Sequence, residues 1–113
     1  MNKPAHDYQK QAILNASPTK LISILYDFGV QACYQKNEKK LHDVLSSLIS
    51  SLNFDFELAD SLYEIYEYCQ RQARNNEFDV VRILLEDLRE TWNDHVVNSR
   101  QHTHQTESKG FLV

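Results

Sequence analysis

The sequence predicts an all-α fold, an antiparallel up-down-up-down four-helix bundle with a short N-terminal capping segment. Three observations carry that expectation. Glycine and proline number two each in 113 residues, which leaves few positions for turns that need positive or fixed φ and disfavours a many-stranded sandwich or barrel. Both prolines precede residue 19, so nothing after Pro18 breaks a helix. Beyond that point apolar residues recur at helical spacing in four successive segments separated by short polar stretches. Short connections make consecutive helices antiparallel neighbours. The chain divides into an N-terminal cap segment over residues 1–16, a bundle over 17–98 and a polar tail over 99–113.

The first helix is expected from Pro18 to Tyr34. Ser17 at the N-cap accepts a backbone N–H, and Pro18 at the first helical position gives up a donor that is unpaired in any case. Lys20 stands where a capping box wants Glu or Gln, so the cap is half made. Leu21, Leu25, Phe28 and Ala32 form the predicted core stripe. Ile22, Tyr26 and Cys33 widen the apolar arc on one side and Ile24 on the other, to roughly half the circumference. A bundle needs only one stripe, and the surplus suggests a second partner. Gly29 within this helix is read as permitting close helix packing.

After the polar turn at residues 35–40, the second helix runs from Lys39 to Leu52 and is one-faced, with Leu41, Val44, Leu45, Leu48, Ile49 and Leu52 inward. Asn53 or Asp55 can cap the third helix, expected from Phe56 to Arg74 with Leu58, Leu62, Ile65, Cys69 and Ala73 as its stripe. Tyr66 and, further out, Tyr63 project to one side of that stripe. A turn over residues 75–79 leads to the fourth helix, Phe78 to Val97, with Val81, Leu84, Leu85, Leu88, Trp92 and Val96 inward. The tail from Asn98 has no period and reads as disordered. Its His102 and His104 lack acidic or Cys companions for a metal.

Composition and missing motifs exclude most chemistry. Twelve Lys and Arg against sixteen Asp and Glu give a formal charge of −4 and a pI near 5.7, with no basic face for phosphate, so nucleic acid is not an expected partner. No apolar run approaches the ~20 residues of a membrane span, and the N-terminus lacks a signal-peptide core. The chain reads as cytoplasmic. Cys33 and Cys69 fall on apolar helical positions and are expected to be buried free thiols. A carboxylate-bridged metal bundle needs Glu-x-x-His pairs, and no Glu is followed by His three residues later. His42 and His95 fall among exposed-pattern residues. With no phosphate loop, nucleophile elbow or Cys-x-x-Cys, neither an enzyme, a metal site nor a cofactor is expected.

Three segments resemble the flagellin export chaperone family, FliS. "YQKQAILNASPTKLISILYDFG" (8–29) resembles its N-terminal signature, "LNFDFELADSLYEIYEYCQR" (52–71) its third helix, and "LLEDLRETW" (84–92) the helix ending near a Trp. Relative to the family, the chain is shorter by roughly fourteen residues between Tyr26 and Leu52 and by roughly seven between Arg71 and Trp92, about two turns and one turn per flanking helix. Both losses fall at the bundle end holding the first and third loops, so client contacts there are expected to be absent.

The resemblance implies a cytoplasmic holding function. Family members bind the disordered C-terminal region of flagellin, which wraps the bundle as extended and helical pieces, keep it from polymerising, and present it to the flagellar export apparatus. The N-terminal segment would cover part of the apolar groove when no client is bound, with Tyr8, Ile13 and Leu14 standing in for client side chains, or it would staple the entry to the first helix. The expected partner-binding set is Tyr8, Ile13, Leu14, Ile22, Tyr26, Tyr63 and Tyr66. The alternative is a shortened paralogue serving another flagellar or secretion component as a regulatory or co-chaperone bundle, or a homodimer formed through the wide apolar helix.

Overall fold

The computed structural model describes residues 16–97. The N-terminal residues Tyr8, Ile13 and Leu14 and the tail from residue 98 lie outside the described residues. Four helices follow one another: α1 (Pro18–Gln35), α2 (Glu38–Ser50), α3 (Glu57–Arg74) and α4 (Phe78–Trp92), the last continuing into one π-helical turn, Asn93–Val97. Among the described residues there is no strand.

Local chemistry sets the helix boundaries. Ser17 Oγ accepts the Lys20 N–H at 3.2 Å with Pro18 in the first turn, the half-made cap the sequence predicts. At the other end of α1, Lys36 takes a left-handed conformation (φ 53°). That lets the Asn37 N–H reach back to the Ala32 carbonyl at 2.9 Å, the 6→1 closure of a helix C-terminus. Asn37 then caps α2 by accepting the Lys40 N–H at 3.1 Å. The α3–α4 turn repeats this device, with Asn76 at φ 62° and the Glu77 N–H donating to the Gln72 carbonyl at 2.9 Å. One expectation fails here. Neither Asn53 nor Asp55 caps α3, because the helix starts at Glu57 with Phe56 at its uncapped N-cap. Asn53 instead accepts the Asp55 N–H at 3.0 Å and shapes the preceding turn.

Contacts between the first and last helices run in opposite order along the two helices. Ser23 Oγ donates to Asn93 Oδ1 at 2.8 Å, Arg89 pairs with Asp27 at 2.9 Å, and the Tyr34 hydroxyl meets Glu86 at 3.4 Å. Hence α1 and α4 are antiparallel, as their closure of a four-helix ring requires. Gly29 lies at the closest approach: a Cβ there would come within 2.7 Å of Leu85 Cδ1 and 3.4 Å of Val44 Cγ1. The sequence-level reading of this glycine as a packing residue is correct.

The core contains Ile22, Tyr26, Val30, Ala32 and Cys33 of α1, Leu41, Val44, Leu45 and Leu48 of α2, Leu62, Tyr66, Cys69 and Ala73 of α3, and Phe78, Val81, Leu85, Trp92 and Val96 from the last helix and its π turn. The α2 stripe is buried or packed on the core, and on α4 and its π turn Val81, Leu85, Trp92 and Val96 are buried as expected while Leu84 and Leu88 are only half-buried. The α1 stripe does not match. On α1, Leu21, Leu25 and Phe28 are only half-buried, and the helix is turned by roughly 100°, one residue's rotation, so that Ile22 and Tyr26 face inward. On α3, Leu62, Cys69 and Ala73 of the expected stripe are in the core and Ile65 packs against it, so only Leu58 departs, at 40% exposed, while Tyr66 is 2% exposed. Tyr26 on α1 and Tyr66 on α3 join the core because their hydroxyls meet at 2.7 Å, so each ring can be buried without orphaning its oxygen. Both thiols are free and buried, as expected, and burial pushes Cys33 up to about 11 and Cys69 to about 12.

Candidate functional site

The rotation of α1 leaves Leu21, Leu25 and Phe28, which the sequence assigned to the core, half-buried, while Ala32 stays inside. Leu21 and Leu25, with Phe28 beyond them, lie along the seam with α2, and the α2 residues opposite are small. Ser47 and Ser51, one turn apart, cannot fill the space between the helices. A cavity of about 350 Å3 opens there, lined by Pro18, Leu21, Ile22, Leu25, Ser47, Ser51 and Trp92. Its walls are apolar on the α1 side and carry two hydroxyls on the α2 side. That mixture suits a partner segment that buries alkyl groups and retains a few hydrogen bonds.

Trp92 forms the inner end of this groove. Its indole N–H donates to the Thr19 carbonyl at 2.9 Å, which ties the C-terminal end of α4 to the first turn of α1. The ring is 7% exposed, and the residue is both a wall of the groove and part of the core. The polar contact of Ser23 with Asn93 lies one turn further along α1 and holds the same junction. The groove is therefore built on rigid elements at the end of the bundle where the chain enters α1.

At the other end of the groove the Lys40 ammonium stands 5.9 Å from the Phe28 ring centre and donates to Gln31 Oε1 at 3.0 Å. Lys20 is exposed at the near end. Asp43, one turn before Ser47 on α2, is exposed and pairs with Lys39 at 3.0 Å, so the surroundings of the groove carry both signs of charge.

The sequence-predicted site residues separate into three groups. Ile22 lines the groove. Tyr26 and Tyr66 do not belong to a groove at all: they form a buried hydrogen-bonded pair at 2% exposure each, a correction whose reason is the mutual satisfaction of their hydroxyls. Burial pushes Tyr26 up to about 12 and Tyr66 higher still. Tyr63 is half-buried on the flank of α3 that faces α2, donates to Glu67 at 2.7 Å and meets Phe54 edge-on with ring centres 5.9 Å apart. The hydrogen bond to Glu67 raises its pKa. It stands outside the α1–α2 groove. Pro18, Leu21, Leu25, Ser47, Ser51 and Trp92 line the groove without having been expected there. The available signal was Ser47 and Ser51 at i and i+4, small residues on the flank of a helix facing a Leu-rich neighbour.

Among the described residues no group of three or more His, Cys, Asp or Glu could hold a metal, and no helix is long and apolar enough to cross a membrane. His42 and His95 are exposed, as expected. The family model described as "Flagellar protein FliS" matches residues 1–100. No curated protein and no solved structure matches the chain.

Proposed function

The chain belongs to the FliS family of flagellar proteins, and on that premise we propose that it is a cytoplasmic export chaperone that holds the disordered C-terminal region of flagellin in the α1–α2 groove. It prevents premature polymerisation and delivers the client to the flagellar type III export apparatus. The observation that carries this reading is the half-buried Leu21, Leu25 and Phe28 stripe over the Ser47 and Ser51 gap. Three large apolar residues of one helix left half-buried at or beside a cavity form a surface that a partner can cover.

The mechanism is holding. A disordered client pays several kcal/mol of ordering on docking, so a sizeable apolar contact still yields a complex that can be released at the export machinery. No bond is made or broken, and the function is binding, not catalysis.

The N-terminal segment regulates access. It joins α1 at Pro18, itself a wall of the groove, so Tyr8, Ile13 and Leu14 are tethered within reach and compete with the client at high effective concentration.

Co-expression with full-length flagellin and with flagellin lacking its C-terminal region tests the assignment. Co-purification of the first and not the second supports it. Failure to retain either protein, with capture of another flagellar component, would instead favour a paralogue with a different client.

A further inference from the structure

The bundle carries a second uncovered apolar seam, on the opposite side from the first. The α4 helix packs chiefly on α1, and its other flank is incompletely closed by α3. Val80, Leu84 and Leu88 of α4 and Ile65 of α3 are half-buried, with Leu84, Leu88 and Ile65 resting on the core. Leu58 and Tyr68, on the same flank of α3, are 40% and 39% exposed. Leu58 to Tyr68 spans ten residue steps, about 15 Å at the helical rise, which is the length of three turns of a docked helix.

The α3–α4 seam is bordered chiefly by acids, whereas the α1–α2 groove has Lys40 and Asp43 of both signs beside it. Along the α3–α4 seam the exposed borders are Glu57 and Glu64 on one helix and Asp87 on the other, and the cation there, Arg71, lies 5.9 Å from the Tyr68 ring centre. Acidic borders favour a segment with basic flanks, and like-charge juxtaposition is how a surface rejects the wrong partner.

We propose that the α3–α4 seam is a docking site for a second protein, recognised through an amphipathic helix of about three turns with Leu-type residues at i, i+4 and i+7 flanked by Lys or Arg. Such a helix lays its apolar face between Leu58, Ile65 and Tyr68 on one side and Val80, Leu84 and Leu88 on the other. Its basic flanks meet Glu57, Glu64 and Asp87. Because the α1–α2 groove is on the other face of the bundle, both seams can be filled at once. The inference is independent of which client occupies the α1–α2 groove.

The probe is a synthetic fourteen-residue amphipathic helix with a Leu stripe and Lys flanks, titrated by fluorescence anisotropy into the full chain, beside a sequence-matched peptide with Glu flanks. The Lys peptide is expected to bind at least tenfold more tightly, with an affinity that falls as salt rises. The exposed double substitution Glu64→Lys/Asp87→Lys should reverse that preference. Tyr68→Ala should weaken both peptides without altering the melting temperature. A saturating flagellin C-terminal peptide should leave the Lys-peptide affinity unchanged. Equal binding of the two peptides, indifference to the charge reversal, or displacement by the flagellin peptide would each overturn the proposal. Displacement would also put flagellin on, or coupled to, this seam, and titration of the Ser47→Trp variant then decides separately whether the α1–α2 groove holds it.

Discussion

The hydroxyls of Tyr26 and Tyr66 lie 2.7 Å apart inside the bundle, joining the two diagonal helices α1 and α3 across the core. Removing one hydroxyl leaves the other buried and unpaired, so Tyr26→Phe and Tyr66→Phe are each expected to cost about 1–2 kcal/mol. The double Phe variant removes both polar groups while keeping both rings. Its loss should fall short of the sum of the singles by about 1 kcal/mol, the coupling read from a double-mutant cycle by urea unfolding. Additive losses would mean that the pair does not act as a unit.

The same burial sets the behaviour in alkali. Tyr26 is raised from its ordinary 10 to about 12, and Cys69 from 9 to about 12. These groups hold their protons in the folded state above the pH at which the unfolded chain releases them. Stability from this source is complete below about pH 9 and falls as pH rises towards about 12. Melting temperature should decline across that window. Of the six tyrosines, Tyr26 and Tyr66 should ionise, by ultraviolet absorbance, only as the protein unfolds, and the double Phe variant should show a shallower decline.

Gly29 is a position where intrinsic propensity and packing disagree. Alanine in a helix interior gains about 1 kcal/mol over glycine. Its Cβ would come within 2.7 Å of Leu85 Cδ1, on a side chain that is fully buried and has little room to yield, and overpacking costs about 1–3 kcal/mol. Gly29→Ala is expected to be destabilising by about 1 kcal/mol, and Leu85→Val should cost less in that background than in the wild type. A rise in melting temperature for Gly29→Ala would show that Leu85 relaxes freely.

Deleting residues 1–15 leaves Ser17 and Pro18, and with them the cap of α1. The shortened protein should fold with a near-normal melting temperature. If Tyr8, Ile13 and Leu14 compete for the groove, its affinity for a flagellin C-terminal peptide should rise by the competition relieved. A fall in affinity would make the segment part of the client site instead, and an unchanged affinity with a lower melting temperature would make it a staple for α1.

The helix boundaries, the α2 stripe, the buried positions of α4, the buried thiols and the role of Gly29 were legible in the sequence because each follows from local spacing or from one residue's sterics. The phase of α1 and the burial of Tyr66 on α3 were not. An apolar arc as wide as that of α1 leaves its inward face undetermined, and tyrosine reads as a border residue because its hydroxyl needs a partner. Here the partner of each tyrosine is the other, forty positions away, a relation that no window along the chain contains. The groove was displaced by the same error: once Tyr26 turns inward, Leu21 and Leu25 turn out over Ser47 and Ser51. Its smallest residues carried the weakest signal, since a serine on a helix flank usually means only solvent.

Ser47 gives the most direct test of the groove as the client site. It is exposed and lines the cavity, so Ser47→Trp fills the space from the α2 side without removing a core contact. In a calorimetric titration of flagellin's C-terminal region, the wild-type chain should bind one client per chain, and Ser47→Trp, melting at or above the wild-type temperature, should lose at least tenfold in affinity. Unchanged binding by the folded Ser47→Trp protein, or no binding by the wild type, would contradict the assignment of the α1–α2 groove to flagellin.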